Sequence, residues 1–310
     1  MDIIKMTPAM KEMVWGGSWL HERFGKEIPS DKTGEAWEVA AHPHGQSVAA
    51  SEPYCGQTLG DLVEQYKEEL VGTEVYARYG TYFPLLIKFI DANQNLSVQV
   101  HPNDEQAVSL EGEGASGKTE MWYILDARPG AKLVYGFNKD LTEEELRESL
   151  EKGTLEEYLN WVPVQPGDTF YIPSGTLHAI GAGILICEIQ QNSDLTYRVY
   201  DYNRLGLDGK PRQLHVEKAV QVVNRKAPVG AEKADIDQGV KSPFFETTRL
   251  YVDQPLTLPV SQERFEILIV LEGEGVMNGL PVRAGDSILV PATAGSVSIE
   301  GKMTLIRTHV

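Results

Sequence analysis

Residues 167–178 read GDTFYIPSGTLH: a Gly-Asp turn, four β-forming residues, a proline, and a histidine beyond a second glycine. A related stretch, GDSILVPATAG (285–295), repeats the pattern G-D-x-β-β-β-P but carries no histidine. Glycine permits tight turns, whereas β-branched and aromatic residues favour strands. The repeat therefore predicts two related β-modules, of which only one carries a possible ligand.

Short runs of β-forming residues flank these two stretches, for example FPLLIKFI (83–90), EMWYILDA (120–127) and ILICEIQ (184–190). Their spacing, with glycine and proline between them, predicts a sandwich or barrel rather than alternating strands and helices. Capping patterns predict few helices, at Thr58 with Asp61, Thr142 with Glu145, and Thr154 with Glu157. We therefore expect a mainly β protein with a small helical portion.

Composition limits the class of protein. The chain has 310 residues, 42% of them apolar, and 28 basic against 45 acidic side chains, for a net charge of −17. This charge argues against binding to nucleic acid or to an anionic membrane. Two cysteines argue against a disulfide scaffold and a four-cysteine zinc site. The N-terminus resembles no signal peptide and the apolar runs are short, so we expect a soluble cytoplasmic protein.

The stretch Gly112–Thr119 matches the phosphate-loop pattern G-x-x-x-x-G-K-[ST] letter for letter. Such a loop needs a helix after it, because the N–H groups at a helix N-terminus hold the phosphates. Here EMWYILDARPG follows, which is typical of a strand. We therefore predict a glycine-rich hairpin that delivers Lys118 and Glu120, and no ATP binding.

A possible metal site combines four residues. Gln99 and His101 lie two positions apart in LSVQVHPND, so a strand would direct both to one face. Glu120 opens a strand and His178 follows the turn described above. Two imidazoles, a carboxylate and an amide oxygen can hold zinc with positions left open. Structural histidines in strands are the alternative at this point.

The pair His42 and His44 in AHPHG also suits a metal, but the proline between them and the glycine after them favour an exposed turn. The segment EIQQNSDLTYRVYDYNR (188–204) leaves two interpretations open. Asp194 and Arg198 lie at the rim of the cavity that holds His178, or they form surface ion pairs.

Four motifs occur in the order known from one family: QVHPND (99–104), GKTEMWY (117–123), GTLHAI (175–180) and QNSDLTYRVYDYNR (191–204). With these motifs the chain resembles a type I mannose-6-phosphate isomerase of the short bacterial kind. The resemblance implies two cupin-like jelly-roll β-sandwich modules. The polar boundary stretch RKAPVGAEKADIDQGVKSP (225–243) separates the C-terminal strands from the rest. We therefore expect a catalytic cupin domain at 1–238, with a short helical segment at about 138–160, and a degenerate cupin domain at 239–310.

The resemblance also implies a site. One Zn²⁺ per chain would be held by Gln99, His101, Glu120 and His178. The family's other functional residues fall on positions that match its motifs, namely Lys88 for substrate binding and Lys118, Asp194 and Arg198 for catalysis. The activity it implies is the interconversion of mannose 6-phosphate and fructose 6-phosphate through an enediol. The expected partner is a small phosphosugar, with no nucleic acid or membrane, in a monomer or weak homodimer.

Isomerisation of this kind needs a proton carrier and charge stabilisation on two neighbouring oxygens. We expect Asp194 to carry the proton, with Lys118 as the second candidate. One departure from longer relatives is Gly117, because many of them have a histidine directly before the lysine. Three alternatives stay open: a cupin oxygenase, a non-catalytic sugar-binding cupin, and an isomerase of another phosphosugar.

Overall fold

The computed structural model describes residues 1–228 and 233–310. The strands of its first half run as follows: β1 Ile4–Thr7, β2 Ala9–Gly17, β3 Thr33–Val39, β4 Ala41–His42, β5 Gly45–Gln46, β6 Val48–Ala49, β7 Leu85–Ala92, β8 Val98–Val100, β9 Glu120–Ala127, β10 Lys132–Phe137 and β11 Leu159–Pro163. Those of the second half are β12 Thr169–Ile172, β13 His178–Ala179, β14 Ile184–Gln191, β15 Tyr197–Tyr200, β16 Val240–Lys241, β17 Glu246–Val252, β18 Leu256–Pro259, β19 Glu266–Met277, β20 Leu280–Arg283, β21 Ser287–Val290 and β22 Ser296–His309.

Short helices connect these strands. They are α1 Trp19–Phe24, α2 Leu59–Tyr66, α3 Glu68–Val71, α4 Thr73–Tyr79, α5 Asp104–Glu111, α6 Glu143–Lys152 and α7 Val216–Val222, with 3₁₀ turns at Leu155–Tyr158 and Ala292–Ala294. Within the described residues, none of the helices is long and apolar enough to cross a membrane.

Three large antiparallel sheets organise the described part of the chain. A six-stranded sheet has the order β12-β9-β14-β7-β3-β2, and a five-stranded sheet has the order β11-β10-β13-β8-β15. The third sheet has nine strands: all seven C-terminal strands, β16 to β22, and the two early strands β1 and β6. The expectation of a mainly β protein is confirmed.

Apolar side chains fill the spaces between these layers. One cluster, which includes Trp122, Ile186 and Leu133, lies between the six- and five-stranded sheets. A larger cluster joins the outer face of the six-stranded sheet to the nine-stranded sheet, with Phe89 and Ile267 among its members. Burial of such surface is worth roughly 25 cal/mol per Å². The six- and five-stranded sheets form one sandwich, which we call the first module. The C-terminal strands form a second module, which packs against the outer face of the six-stranded sheet.

The predicted division at residue 238 stays a prediction, and residues 229–232 of the boundary stretch lie outside the described residues. The N-terminal strand β1 pairs with β21, so the first residues of the chain contribute to the nine-stranded sheet. The helical segment predicted at about 138–160 contains α6 and the 3₁₀ turn that follows it.

Local predictions had mixed outcomes. The capping box at Thr142 is confirmed, because Thr142 and Glu145 exchange both side-chain-to-backbone bonds at the start of α6. The one at Thr154 is wrong, since only a 3₁₀ turn follows and the Thr154 side chain makes no capping bond. A single turn offers too few free N–H groups in register for the reciprocal pattern.

Candidate active site

A cavity of about 320 Å³ opens between the six- and five-stranded sheets. Five of the side chains predicted as functional line it: Lys88, Gln99, Lys118, Asp194 and Arg198. Its other lining residues are Met13, Trp15, Glu35, Trp37, Ile90, Leu96, Ser97, Ile180, Glu188, Thr196, Arg212 and His215. The cavity is therefore walled by aromatic and aliphatic groups and contains many charges, as expected of a site for a small polar molecule.

Strand register brings three of the predicted residues together. Gln99 on β8 pairs with His178 on β13 and with Arg198 on β15. Residues directly opposite each other in antiparallel strands point to the same face. His101 lies two positions beyond Gln99 and shares that face. One face of the five-stranded sheet thus presents an amide, two imidazoles and a guanidinium.

The opposite sheet supplies the carboxylate. Glu120 opens β9, and one donor atom each from His101, Glu120 and His178 lie within 4.8 Å of one another. All three side chains are buried. The Gln99 side-chain nitrogen lies 3.4 Å from His178 Nε2, and amide oxygen and nitrogen can exchange places by rotation. The four predicted ligands therefore converge on one point.

Hydrogen bonds orient both imidazoles. His101 Nδ1 bonds to the carbonyl of Leu195 at 2.8 Å, and His178 Nδ1 bonds to the carbonyl of Thr176 at 2.9 Å. A carbonyl only accepts, so each Nδ1 carries the proton and each Nε2 presents a lone pair to the centre. This arrangement is the usual support of a metal-binding histidine.

The electrostatics fit a cation at this point. Burial and the nearby Lys118 hold the pKa of His101 well below its usual value and lower that of His178 to about 4. Both imidazoles are thus neutral, as metal binding requires. Burial, with the neighbouring Glu188, raises the pKa of Glu120 to about 7. Among the described residues, Glu120 Oε1 has no hydrogen-bond partner although it is buried. The donor set therefore fits a metal ion.

Lys118 reaches this centre from the glycine-rich turn. Its ammonium contacts Glu120, donates to His101 Nε2 at 3.1 Å, and lies 3.6 Å from Glu188 Oε1. The turn follows helix α5 and leads into strand β9, which is the reverse of the order that a phosphate loop needs. The predicted hairpin is wrong, because the segment joins a helix to a strand, but the glycine-rich connection does deliver Lys118 and Glu120 to the same centre.

Glu188 is a cavity residue that the sequence predictions missed as a site residue. It is buried on β14 and accepts a bond from Trp122 Nε1 at 2.8 Å, while Lys88 Nζ lies 3.4 Å from its other oxygen. Burial favours the neutral acid, but Lys118 and Lys88 outweigh it and lower the pKa of Glu188. A glutamate inside the otherwise apolar strand ILICEIQ was the signal that could have identified it.

Lys88 lies between two carboxylates. Its ammonium is 3.6 Å from Glu35 Oε2 and 3.4 Å from Glu188 Oε1, and its side chain is buried. Burial alone would lower the pKa of Lys88, but the carboxylates of Glu35, Glu188 and Glu120 together raise it. Lys88 is thus a charged group on the wall of the cavity.

Arg198 occupies the open side of the cavity. Its Nε donates to Ser97 Oγ at 3.1 Å and its Nη1 donates to the carbonyl of Gln213 at 2.9 Å. Burial and the nearby Arg212 lower its pKa, although a guanidinium remains charged at neutral pH. Arg212 is paired with Asp201 through its Nε and Nη2, at 2.7 and 2.6 Å, so the unmatched positive charge on this side comes from Arg198. The alternative of an ion pair between Arg198 and Asp194 does not occur among the described contacts, because both side chains have other partners.

Asp194 lines the same cavity but faces the hairpin of β4 and β5. Its Oδ2 accepts from His44 Nδ1 at 2.5 Å, and its Oδ1 lies 3.7 Å from His42 Nε2. AHPHG forms the predicted turn, between β4 and β5, and His44 is exposed as expected, but His42 is buried. The backbone N–H of His44 donates to His42 Nδ1 at 3.1 Å, so the proton of neutral His42 lies on Nε2. This favours a hydrogen-bonded cluster around Asp194 over a second metal site.

Residues 3–120 match the family model of the phosphomannose isomerase type I catalytic domain, and residues 235–310 match that of the mannose-6-phosphate isomerase cupin domain. The chain is 41% identical to mannose-6-phosphate isomerase ManA of Bacillus subtilis, over 98% of this chain and 97% of that protein. It belongs to the type I phosphomannose isomerase family.

Further relatives agree with this membership. Mannose-6-phosphate isomerase of Streptococcus mutans is 40% identical over 97% of this chain and 96% of its own length. The crystal structure of mannose 6-phosphate isomerase from Bacillus subtilis covers 100% of both chains with a TM-score of 0.90 and 38% identity. The expected cupin architecture is thereby confirmed.

Proposed function

We propose that this protein interconverts mannose 6-phosphate and fructose 6-phosphate through an enediol. One observation carries the proposal: Gln99, two lysines and an arginine line a cavity, and Lys118 joins it to the buried cluster of His101, Glu120 and His178. The full-length relatives of this chain are named mannose-6-phosphate isomerases. A cupin oxygenase is a poorer match to these relatives.

The metal of this proposal is one Zn²⁺ per chain, held by Gln99, His101, Glu120 and His178. Nitrogen and carboxylate ligands with open positions are typical of catalytic zinc. When bound, zinc acts as a Lewis acid that polarises an oxygen of the substrate.

The protein's own side chains would handle charge and protons. Lys118 and Arg198 would stabilise negative charge on the two neighbouring oxygens of the enediol, since cations aimed at developing charge are effective in a dry site. Either Asp194 or Glu188 would carry the proton between C2 and C1. Glu188 is the better placed, because it lines the cavity with its Oε1 3.6 Å from Lys118 Nζ, whereas Asp194 is held by His44.

The phosphate would lie at the positive side of the cavity. Arg198 lines that side without a carboxylate partner and would be the main phosphate contact, because a guanidinium matches phosphate geometry. Arg212 lines the same side, but its charge is already matched by Asp201. Lys88 would bind hydroxyl oxygens nearer the floor, because its charge is already matched by Glu35 and Glu188. The aromatic wall of Trp15 and Trp37 would face the carbon skeleton of the sugar.

A substrate panel tests the proposal. Zinc-loaded protein is assayed for ketose formation from mannose 6-phosphate, glucose 6-phosphate and ribose 5-phosphate. We expect fructose 6-phosphate from mannose 6-phosphate at the highest kcat/KM. Faster turnover of another aldose phosphate would assign a different isomerase, and saturable binding without turnover would assign a sugar-binding protein. A monomer or weak homodimer in the cytoplasm is part of the proposal, and gel filtration checks the oligomeric state.

A further inference from the structure

The backbone of the segment that carries Lys118 is held at three consecutive N–H groups. Gly117 N–H donates to Asp104 Oδ1 at 2.8 Å, Lys118 N–H donates to the carbonyl of Pro102 at 3.0 Å, and Thr119 N–H donates to Gln191 Oε1 at 2.9 Å. Two of the three acceptors are side chains, so they are supplied by specific residues rather than by the regular ladder of a sheet.

These two side chains are joined to each other. Gln191 Nε2 donates to Asp104 Oδ1 at 2.9 Å, so this one oxygen accepts hydrogen bonds from both the Gly117 N–H and the Gln191 amide. Gln191 is buried at the end of β14, the strand that carries Glu188. Asp104 begins α5, where a carboxylate is favoured by the helix dipole. The pair therefore connects the Lys118 segment to two elements that already have fixed positions.

The segment needs this support because the loop before it is flexible by composition. Three glycines occur between residues 112 and 117, and glycine restricts the backbone least. The side chain of Lys118 nevertheless has to place its ammonium among His101, Glu120 and Glu188. A shift of the backbone at this position would move the ammonium by a similar distance.

Gly117 also allows the close approach of α5. A Cβ atom at this position would lie 2.5 Å from the carbonyl carbon of Asn103 and 2.6 Å from the nitrogen of Asp104. Both neighbours are backbone atoms at the capped start of the helix, so neither can rotate away. The absence of a histidine at 117, noted in the sequence, therefore has a steric reason in this chain.

We propose that Asp104 and Gln191 are positioning residues that fix the backbone on both sides of Lys118 and thereby place its ammonium in the active site. They touch neither the metal ligands' donor atoms nor the cavity, and they act through Lys118. The inference rests on the proposed function where it concerns turnover, but the placement of Lys118 can be measured without it.

The first measurement is lysine acylation of the zinc-loaded protein, followed by peptide mass mapping. Lys118 is 4% exposed and is expected to react slowly in the wild type. Loss of one or two hydrogen bonds in Asp104→Ala should accelerate its labelling about tenfold. Buried Lys88 in the same cavity is the internal control and should stay protected. Equal labelling of Lys118 in both proteins, or joint exposure of Lys118 and Lys88, would overturn the proposal.

The second measurement is steady-state kinetics. Asp104→Ala should lower kcat about tenfold with a smaller change in KM and an unchanged zinc content, because misplaced catalytic groups slow turnover. Asp104→Asn keeps an acceptor oxygen and should recover most of the loss. Gly117→Ala disturbs the same contact from the Gly117 side, because its Cβ would clash with the backbone of Asn103 and Asp104, and should cause a similar loss of kcat. A kcat within twofold of the wild type in both Asp104→Ala and Gly117→Ala would contradict the proposal.

A matched control is available elsewhere in the chain. Asp235 also accepts a backbone N–H, from Asp237 at 3.1 Å, and a glutamine amide, from Gln238 at 2.8 Å. Asp235→Ala therefore removes the same chemistry far from Lys118 and should leave both labelling and kcat unchanged. A wild type without turnover of mannose 6-phosphate would defeat the proposed function, while the labelling comparison would still decide the role of Asp104.

Discussion

The turns at Gly167 and Gly285 have the same backbone hydrogen bonds, but the modules that contain them have different interiors. Gly167 N–H donates to the carbonyl of Ile124, and the carbonyl of the aspartate after it accepts the Ile124 N–H, both at 2.9 Å. Gly285 and its aspartate make the same two bonds with Val270, at 2.8 and 2.9 Å. Both glycines have a positive φ, 91° and 90°. The repeat expected from the sequence is therefore structural.

The two modules diverge after the proline. In the first, the chain turns at Gly175, whose N–H donates to the carbonyl of His101 at 2.8 Å, and reaches His178. In the second, a 3₁₀ turn at Ala292–Ala294 follows, and the position that corresponds to His178 is the exposed Ser296.

The interiors differ accordingly. The second module is filled by apolar side chains, including Leu268, Val270, Met277, Ile288 and Ile299. The first module buries carboxylates at one end and balances them with Lys88 and Lys118. Buried charges are costly without partners. The same architecture is therefore compatible with a site but does not create one, because the whole set of charged partners has to be present.

The largest expected effect is loss of the metal. His178→Ala removes one predicted ligand and should weaken zinc binding by more than about a hundredfold, since even outer partners of a ligand are worth that much. The reciprocal change Ser296→His, at the matching position of the second module, should bind no additional zinc, because neither group of metal-ligating side chains in the described part of the chain includes a residue of that module. Elemental analysis after dialysis measures both. Full zinc occupancy in His178→Ala would contradict the assignment of His178 as a ligand.

The next effect concerns buried carboxylates. Glu188→Gln should lower kcat about 10²- to 10⁴-fold, the usual contribution of a general acid or base, with little change in KM. The control is Glu266, a buried carboxylate of the second module that pairs with Arg307. Glu266→Gln should lower the melting temperature and leave kcat unchanged. If Asp194→Asn loses far more activity than Glu188→Gln, the proton carrier is Asp194.

Arg198 should have an intermediate effect. Arg198→Ala removes a charge-assisted contact to the enediol oxygens and should lower kcat about a hundredfold, with KM changed less. Arg198→Lys should recover only part, because an ammonium lacks the planar fork. The control is Arg307→Ala in the second module. An Arg198→Ala variant with a lower melting temperature but an unchanged kcat would make this arginine structural.

The smallest effect is on stability. Asp91 is buried in the first module, where it accepts the Trp19 N–H at 2.8 Å, and burial raises its pKa to about 6. A pKa above the value of about 4 in the unfolded chain means that folding favours the protonated form, so stability falls as pH rises from about 4 to 6. Asp91→Asn should therefore gain a few degrees in melting temperature at pH 7 and less at pH 4. A difference that is constant with pH would contradict this.

Much of the site could be predicted because its polar and charged residues stand at the ends of, or within, runs of β-forming apolar residues. Strand β9 was predicted with its observed bounds, which fixed Glu120 at its start. Strands β2 and β3 were not predicted, since their residues alternate with glycine and charge, and they bring Trp15 and Glu35 to the cavity. The roles of Asp104 and Gln191 depend on contacts across 87 residues of sequence, which no local pattern contains.

The most direct test of the account is a zinc titration of the metal-free wild-type protein, with formation of fructose 6-phosphate from mannose 6-phosphate as the readout. We predict no turnover without metal, and a linear rise in activity that stops at one equivalent of zinc per chain. Full activity of the metal-free protein, or no fructose 6-phosphate at any zinc loading, would contradict the assignment of this cavity as a metal-dependent isomerase site.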